Sequence, residues 1–183
     1  MKIYFVRHGQ TDWNNQGKIQ GKTDTELNKT GIEQAKEASE KLKDADIDII
    51  ICSPLKRARK TAEIINEKLN VDILHEKEFS ERDYGEFEGI SKYDLNTEEF
   101  WDYDKNVKYK KAESVKDLFD RVYRTLDKII EKYKGKNILI VAHSGISIPF
   151  KCYFKKKIYK NNLNDIRTKN GEVISFDIKD YTI

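Results

Sequence analysis

Apolar residues along the chain fall into two kinds of run that take turns. Short, nearly continuous runs occur at Ile3-Tyr4-Phe5-Val6, at Ile47-Asp48-Ile49-Ile50-Ile51-Cys52, and from Asn137 to Ala142. Runs of this length and composition read as strands buried on both faces. Between them the apolar positions recur at helical spacing. Thr30-Gly31-Ile32-Glu33 has the form of a capping box and opens a predicted helix to about Lys43. Ser53-Pro54 places an N-cap and an N1 proline before a helix to about Leu69. Ser114 caps the longest predicted helix, whose apolar face is Val115, Leu118, Phe119, Val122, Leu126, Ile129, Ile130 and Tyr133, and Lys134-Gly135 ends it. Ser144 is placed to cap another. A short strand is predicted from Val71 to Leu74, a polar loop from Phe79 to Gly89, and an alternating edge strand from Val173 to Ile178.

Strands alternating with helices predict an α/β sandwich around a mostly parallel sheet. The 183 residues suffice for one domain and are short for two, and no linker, repeat or low-complexity block divides them, so a single domain over residues 1–183 is expected. Composition adds less. The chain is 37% charged with a net charge of only +3, a surplus spread along its length. That argues against a dedicated nucleic-acid binder. Basic stretches at Lys108 to Lys111 and Lys155 to Lys160, interleaved with Tyr and Phe, read as a solvated lysine-rich surface. No run reaches transmembrane length and no signal peptide is recognised, so a cytoplasmic protein is expected. The two cysteines, Cys52 and Cys152, sit in apolar segments without metal-ligand spacing and read as buried thiols.

Chemistry concentrates at three strand ends. The first strand runs into Arg7-His8-Gly9, the second into Cys52-Ser53-Pro54-Leu55-Lys56-Arg57, and the third into Ala142-His143-Ser144-Gly145. Parallel strands bring such ends to one sheet edge, where active sites of α/β folds lie. Two of only three histidines would meet there beside two of only seven arginines. Arginine forks and helix N-termini favour phosphate. Neighbouring cations keep an imidazole unprotonated and nucleophilic, and the small Gly9 would let a phosphate come close to the backbone. Singly, each residue has a bland reading: Arg59 and His75 are assigned to the surface or to structure.

These segments resemble the histidine phosphatase superfamily, also called phosphoglycerate mutase-like, over most of the chain. Arg7-His8-Gly9-Gln10-Thr11 with Trp13-Asn14 resembles its opening motif, continued by Gln20-Gly21, Asp24, Leu27, Gly31 and Gln34-Ala35. Ser53-Pro54-Leu55 with Arg57-Ala58 and Thr61-Ala62 is similar to its second motif. Glu81, Gly85, Glu88 and Gly89 resemble its acid loop, Glu113-Ser114 and Arg121 the opening of its long helix, and Val141-Ala142-His143 its last histidine motif. Ser144, Ala112 and Thr25-Glu26-Leu27 depart from the common pattern without removing a catalytic group.

The resemblance implies a three-layer α/β/α sandwich with one antiparallel strand. It implies a metal-independent phosphomonoester hydrolase, with no cofactor, acting on a small phosphorylated metabolite. His8 would become phosphorylated, Arg7, Arg57 and a protonated His143 would hold the phosphoryl oxygens, and Glu81 would be the general acid. Asn14, Gln20, Gly21, Arg82, Tyr84 and Ser144 are the substrate-binding candidates. No nucleic acid or membrane partner is implied, and the oligomeric state is not readable. The alternative is phosphoglycerate mutase, which resembles this chain with a larger insertion before the last histidine. Here residues 90–112 form only a short cap, whose aromatics, Phe100 and Trp101 among them, would either stack a sugar or base or belong to the core.

Overall fold

Each buried strand divides its side chains between two faces, and that division builds the layers. The computed structural model describes residues 1–158 and 163–178. Among these, five strands form one sheet: β1 (Lys2–Arg7), β2 (Ile49–Cys52), β3 (Asp72–His75), β4 (Ile138–Ala142) and β5 (Val173–Asp177). Their order is β3-β2-β4-β1-β5. Neighbours run parallel except β1 and β5, which are antiparallel. The helices are α1 (Asp12–Asn15), α2 (Lys29–Leu42), α3 (Lys56–Leu69), α4 (Thr97–Phe100), α5 (Val115–Lys132) and α6 (Ser144–Lys155).

Ile3, Phe5, Ile49, Ile51, Ile138 and Ile140 face one core cluster, which α5 and α6 cover with Leu118, Val122, Leu126, Ile146 and Phe150. Val6, Ile50, Cys52, Leu139 and Val141 face the other, covered by α2 and α3 through Ala38, Leu42, Ala58, Ala62 and Ile65. The chain is thus a three-layer α/β/α sandwich with a mostly parallel sheet and an antiparallel edge strand. Seven of the eight apolar positions expected on the long helix are buried, and Tyr133 caps its end partly buried. Each buried Leu, Ile or Phe contributes roughly 1.5–3 kcal/mol of transfer free energy, so α5 is held chiefly by this face.

Helix starts differ from the sequence expectation in three places. Asn28, not Thr30, caps α2, and its side chain accepts from the Gly31 N–H at 2.9 Å. Asn28 lies in extended backbone and can reach that donor; Thr30 is already inside the first turn. α3 begins at Lys56 after Leu55, whose apolar side chain cannot cap; the Ser53 hydroxyl lies two residues earlier, where it accepts from the Leu55 N–H at 3.3 Å and meets His143. His143 is the N-cap position of α6, and Ser144 is its first helical residue. Ser114 does cap α5, accepting from the Asp117 N–H at 3.3 Å. β3 starts one residue later than expected.

Cys52 and Cys152 are buried in different core clusters and are not joined to each other. Burial pushes the Cys52 thiol up to about 12. Its Sγ lies 3.2 Å from Nδ1 of the exposed His75. Arg59 is exposed on α3. Among the described residues no helix is long and apolar enough to cross a membrane. Tyr159 and Lys160, the end of the second basic stretch, lie outside the described residues.

Candidate active site

The three chemistry-bearing strand ends belong to three neighbouring strands, β2, β4 and β1. Register pairs Arg7 with Ala142 and Cys52 with Val141. The His8 N–H then donates to the Ala142 carbonyl and the Ser53 N–H to the Val141 carbonyl, both at 3.0 Å. The ladder therefore delivers His8, Ser53 and His143 to one point, with the imidazole centres of His8 and His143 5.1 Å apart.

The surroundings of His8 settle which nitrogen is free. Its Nδ1 is 2.7 Å from the Gly9 carbonyl, which can only accept, so Nδ1 carries the proton. Its Nε2 receives the Arg57 Nε–H at 3.3 Å, and a guanidinium can only donate. Both neighbours demand the same tautomer, with the lone pair on Nε2. Burial, then Arg57 and Arg7, hold the His8 pKa well below the usual histidine range. A neutral imidazole with a fixed, unprotonated nitrogen is a nucleophile at neutral pH.

His143 is fully buried. Its Nε2 is 2.7 Å from the Ser53 hydroxyl, and its Nδ1 has no partner. Burial first, then Arg57, His8, Arg7 and Arg121, depress its pKa well below the usual value. Burial, reinforced by these cations, works against the protonated His143 that the resemblance implies.

Arg57, on the first turn of α3, also donates to the Thr23 carbonyl at 2.8 Å and the Gly21 carbonyl at 2.7 Å. It therefore shapes the loop that carries Gln20 and Gly21 as well as touching His8. Arg7 donates to the Thr168 carbonyl at 3.0 Å, while its Nε is buried without a partner. Burial lowers both guanidinium pKa values to about 10, which leaves both charged at neutral pH.

Glu81 is fixed by two backbone donors. Its Oε1 accepts from the Arg82 N–H at 2.8 Å and its Oε2 from the Gly145 N–H at 3.0 Å, in the first turn of α6. A Cβ on Gly145 would run into this carboxyl group. The loop behind it is held by Arg121 on α5. That side chain pairs with Glu113 at 2.6 Å, donates to the Ser80 carbonyl at 2.9 Å, and also reaches the Glu78 carbonyl.

The three strand ends open on a cavity of about 370 Å³. Arg7, His8, Arg57 and Glu81 line it, as do the substrate-binding candidates Asn14, Gln20, Gly21, Tyr84 and Ser144. His143 stands behind His8 in the core. Gln20 accepts from the Thr11 hydroxyl at 2.9 Å and from the Thr25 hydroxyl. Gly21 has φ +53, and a Cβ there would meet the Glu88 carboxylate. Arg82 does not reach this cavity. Its guanidinium is fully buried, donates to the Glu113 and Phe100 carbonyls at 3.0 and 2.8 Å, and stacks 3.9 Å above the Phe100 ring. It binds the 90–112 segment, not a ligand. Phe100 and Trp101 are 1% exposed and belong to the core, which removes the sugar- or base-stacking role for them. Gly9 is small for a different reason than expected: a Cβ there would strike the Gly31 carbonyl of α2.

Sequence reasoning missed the segment that precedes β5. Arg167, Thr168, Lys169 and Asn170 line the cavity. The Asn170 amide donates to the His8 carbonyl at 2.9 Å, and the Gly171 N–H to the Arg7 carbonyl at 3.0 Å. Lys18 and Lys92 also line it. Thr61, a member of the second motif, accepts through its hydroxyl from the Gly9 N–H at 3.1 Å and ties the residue after His8 to α3. Among the described residues, no group of three or more His, Cys, Asp or Glu is placed to hold a metal ion.

Comparison with known proteins gives this arrangement relatives. The family model described as histidine phosphatase superfamily (branch 1) matches residues 3–183. A Bacillus subtilis protein described as the uncharacterized phosphatase PhoE is 48% identical over 143 residues, covering 78% of this chain and 72% of that protein. Phosphoglycerate mutase-like protein 4 of Arabidopsis thaliana is 35% identical over 154 residues, 79% of this chain and 67% of its own. The solved structure of YhfR from Bacillus stearothermophilus shares the fold with a TM-score of 0.88 at 22% identity, over 98% of this chain and 92% of that one.

Proposed function

The chain belongs to the histidine phosphatase superfamily, and from that premise we propose that it hydrolyses small phosphate monoesters through a phosphorylated His8. One observation carries the reading: His8 presents an unprotonated Nε2 beside Arg57, with its other nitrogen locked onto the Gly9 carbonyl. In the first step Nε2 bonds to phosphorus as the ester P–O bond breaks, and Glu81 gives its proton to the leaving oxygen. In the second, Glu81 takes a proton from water as the water oxygen bonds to phosphorus. The P–N bond breaks, its electron pair returns to Nε2, and inorganic phosphate leaves. Arg7 and Arg57 neutralise the phosphoryl oxygens in both steps. A phosphate dianion offsets the positive field at His143, which then takes up a proton and becomes the third cation of the phosphoryl site. Side chains supply every cation in this scheme, so no metal is assigned a step.

The test is His8→Ala with p-nitrophenyl phosphate. The variant is expected to fold and to lose turnover, and alkaline quench of the wild type with labelled substrate should trap one phosphoryl group that the variant lacks. A folded His8→Ala protein with wild-type turnover would end the phosphohistidine mechanism.

Relatives named for phosphoglycerate mutase favour a second reading with the same site. A mutase must keep the displaced monophosphate beside phospho-His8 under a lid that excludes water. We assign residues 90–112 the part of a short cap. They are packed onto Arg82, and within this segment it is Lys92 that reaches the cavity. With 3-phosphoglycerate and catalytic 2,3-bisphosphoglycerate, released phosphate should therefore exceed 2-phosphoglycerate. The reverse ratio would replace the hydrolase with the mutase.

A further inference from the structure

The cavity holds more positive charge than one phosphate requires. Arg7, Lys18, Arg57, Lys92, Arg167 and Lys169 line it against a single carboxylate, Glu81. Arg57 and Arg7 are the cations that act on His8, and they belong to the phosphoryl site. Arg167 acts elsewhere, on Arg7, Tyr84 and Arg82. Its guanidinium lies 4.6 Å from the centre of the Trp101 ring. Its fork also shares a hydrogen bond with the Tyr84 phenol, and both Arg167 and Tyr84 line the cavity.

Three features mark Arg167 as unspent. No carboxylate pairs with it among the described residues. Its Nε is buried without a hydrogen-bond partner. Arg7 and Arg82 are cations close enough to act on it. Stacking on Trp101 and a hydrogen bond with the Tyr84 phenol fix the plane of the fork, and a fork so held suits a planar carboxylate. A second cationic pair stands at the rim. Lys18 and Lys92 are brought together where Lys18 bridges to Ser91 and the Lys92 N–H donates to the Gly17 carbonyl at 2.8 Å. Neither has an acidic partner among the described residues, and both draw an anionic ligand inward.

Building on the phosphomonoesterase reading, we propose that the substrate carries a carboxylate a few bonds from its ester phosphate and that Arg167 binds this second anion. Arg167, and not the substrate-binding candidate Arg82, is then the residue that sets specificity. The cavity of about 370 Å³ limits the substrate to a small phosphorylated acid.

The matched pair 3-phosphoglycerate and glycerol 3-phosphate differs by a carboxylate against a hydroxymethyl group. The ratio of their kcat/KM values is measured in the wild type, Arg167→Met and Arg167→Lys. Each ratio is taken within one protein, so a general loss of activity cancels. The wild type should prefer the carboxylate at least tenfold, Arg167→Met should prefer it less than threefold, and Arg167→Lys should fall between. Equal use of both esters by the wild type, or an undiminished ratio in Arg167→Met, would overturn the proposal. A preference for propane-1,3-diyl bisphosphate over 3-phosphoglycerate would overturn the carboxylate assignment. Calorimetric binding of the same pair to His8→Ala, with and without Arg167→Met, separates the two readings. If no ester is turned over, the phosphatase reading falls, and the binding ratio alone then decides for or against the Arg167 subsite.

Discussion

Acid should destabilise the fold through His8 and His143. An unfolded histidine titrates near 6.5, whereas burial and the adjacent arginines hold His8 and His143 well below that in the fold. Between those values the unfolded chain binds protons that the folded protein refuses. Stability therefore rises with pH in that window and falls as pH drops. The loss begins near pH 6.5 and levels off once pH passes the folded values. For a group still neutral in the fold it amounts to RT ln(1 + 10^(6.5 − pH)), about 2 kcal/mol at pH 5 and about 0.1 kcal/mol at pH 7.5. For two groups still neutral in the fold at pH 5 the ceiling is about 4 kcal/mol, a large share of the usual stability of a domain. Urea unfolding in phosphate-free buffer at pH 7.5, 6.5, 5.5 and 5.0 measures it. His8→Asn keeps a donor for the Gly9 carbonyl and cannot titrate, so its loss over the same range should be about 2 kcal/mol smaller. Surface carboxylates titrate alike in both proteins and cancel in the difference. A wild-type profile flat to within about 0.5 kcal/mol, or a His8→Asn profile as steep as the wild type, would refute the reasoning.

Other expectations follow from the support of Glu81. Gly145→Ala places a Cβ against the Glu81 carboxyl, so it should slow alkyl esters at least about tenfold and aryl esters much less, since nitrophenolate leaves without a proton. Equal losses on both would mean that Glu81 is not the acid. Arg121→Met removes the Glu113 ion pair and the donors to the Ser80 and Glu81 carbonyls. It should lower stability by about 2–4 kcal/mol, read from thermal melts, and show the same alkyl-selective loss of rate; an unchanged melting temperature would contradict it. EDTA should leave turnover of p-nitrophenyl phosphate intact; loss on chelation with recovery on added Mg²⁺ or Zn²⁺ would sink the metal-free scheme.

The fold was legible because its strongest signals are local. Ile49, Ile50 and Ile51 can be nothing but a strand buried on both faces, and the 3.6-residue spacing from Val115 to Ile130 admits only a helix with one dry side. What stayed hidden were competitions for a single polar group. Ser53 looks like a cap because its neighbour is proline, yet its hydroxyl serves His143 from 90 residues away. Thr30 has the letters of a capping box, but Asn28 caps through the Gly31 N–H and starts the helix two residues earlier, which places Thr30 inside it. Local rules name the groups able to cap; tertiary contacts decide which does.

The site divides along the same line. His8, Arg57 and His143 were readable because parallel strands send their carboxyl ends to one edge, a rule that needs only strand order. Arg167 obeys a different geometry. β5 runs antiparallel to β1, so the residues that enter it, not those that leave it, stand at the active edge. A search confined to the ends of strands passes over position 167, although arginine is scarce in this chain. Arg82 drew attention by its place beside Glu81, and adjacency in sequence points neighbouring side chains in different directions: the carboxyl of Glu81 faces the cavity, while the guanidinium of Arg82 turns into the core and holds the Phe100 carbonyl. Both arginines stack on Trp101 and both keep one nitrogen without a partner, so their difference is one of place. Arg82 is wholly buried behind Glu81 while Arg167 lines the cavity, which is why the proposed substrate recognition sits at the entry of the last strand and not in the acid loop.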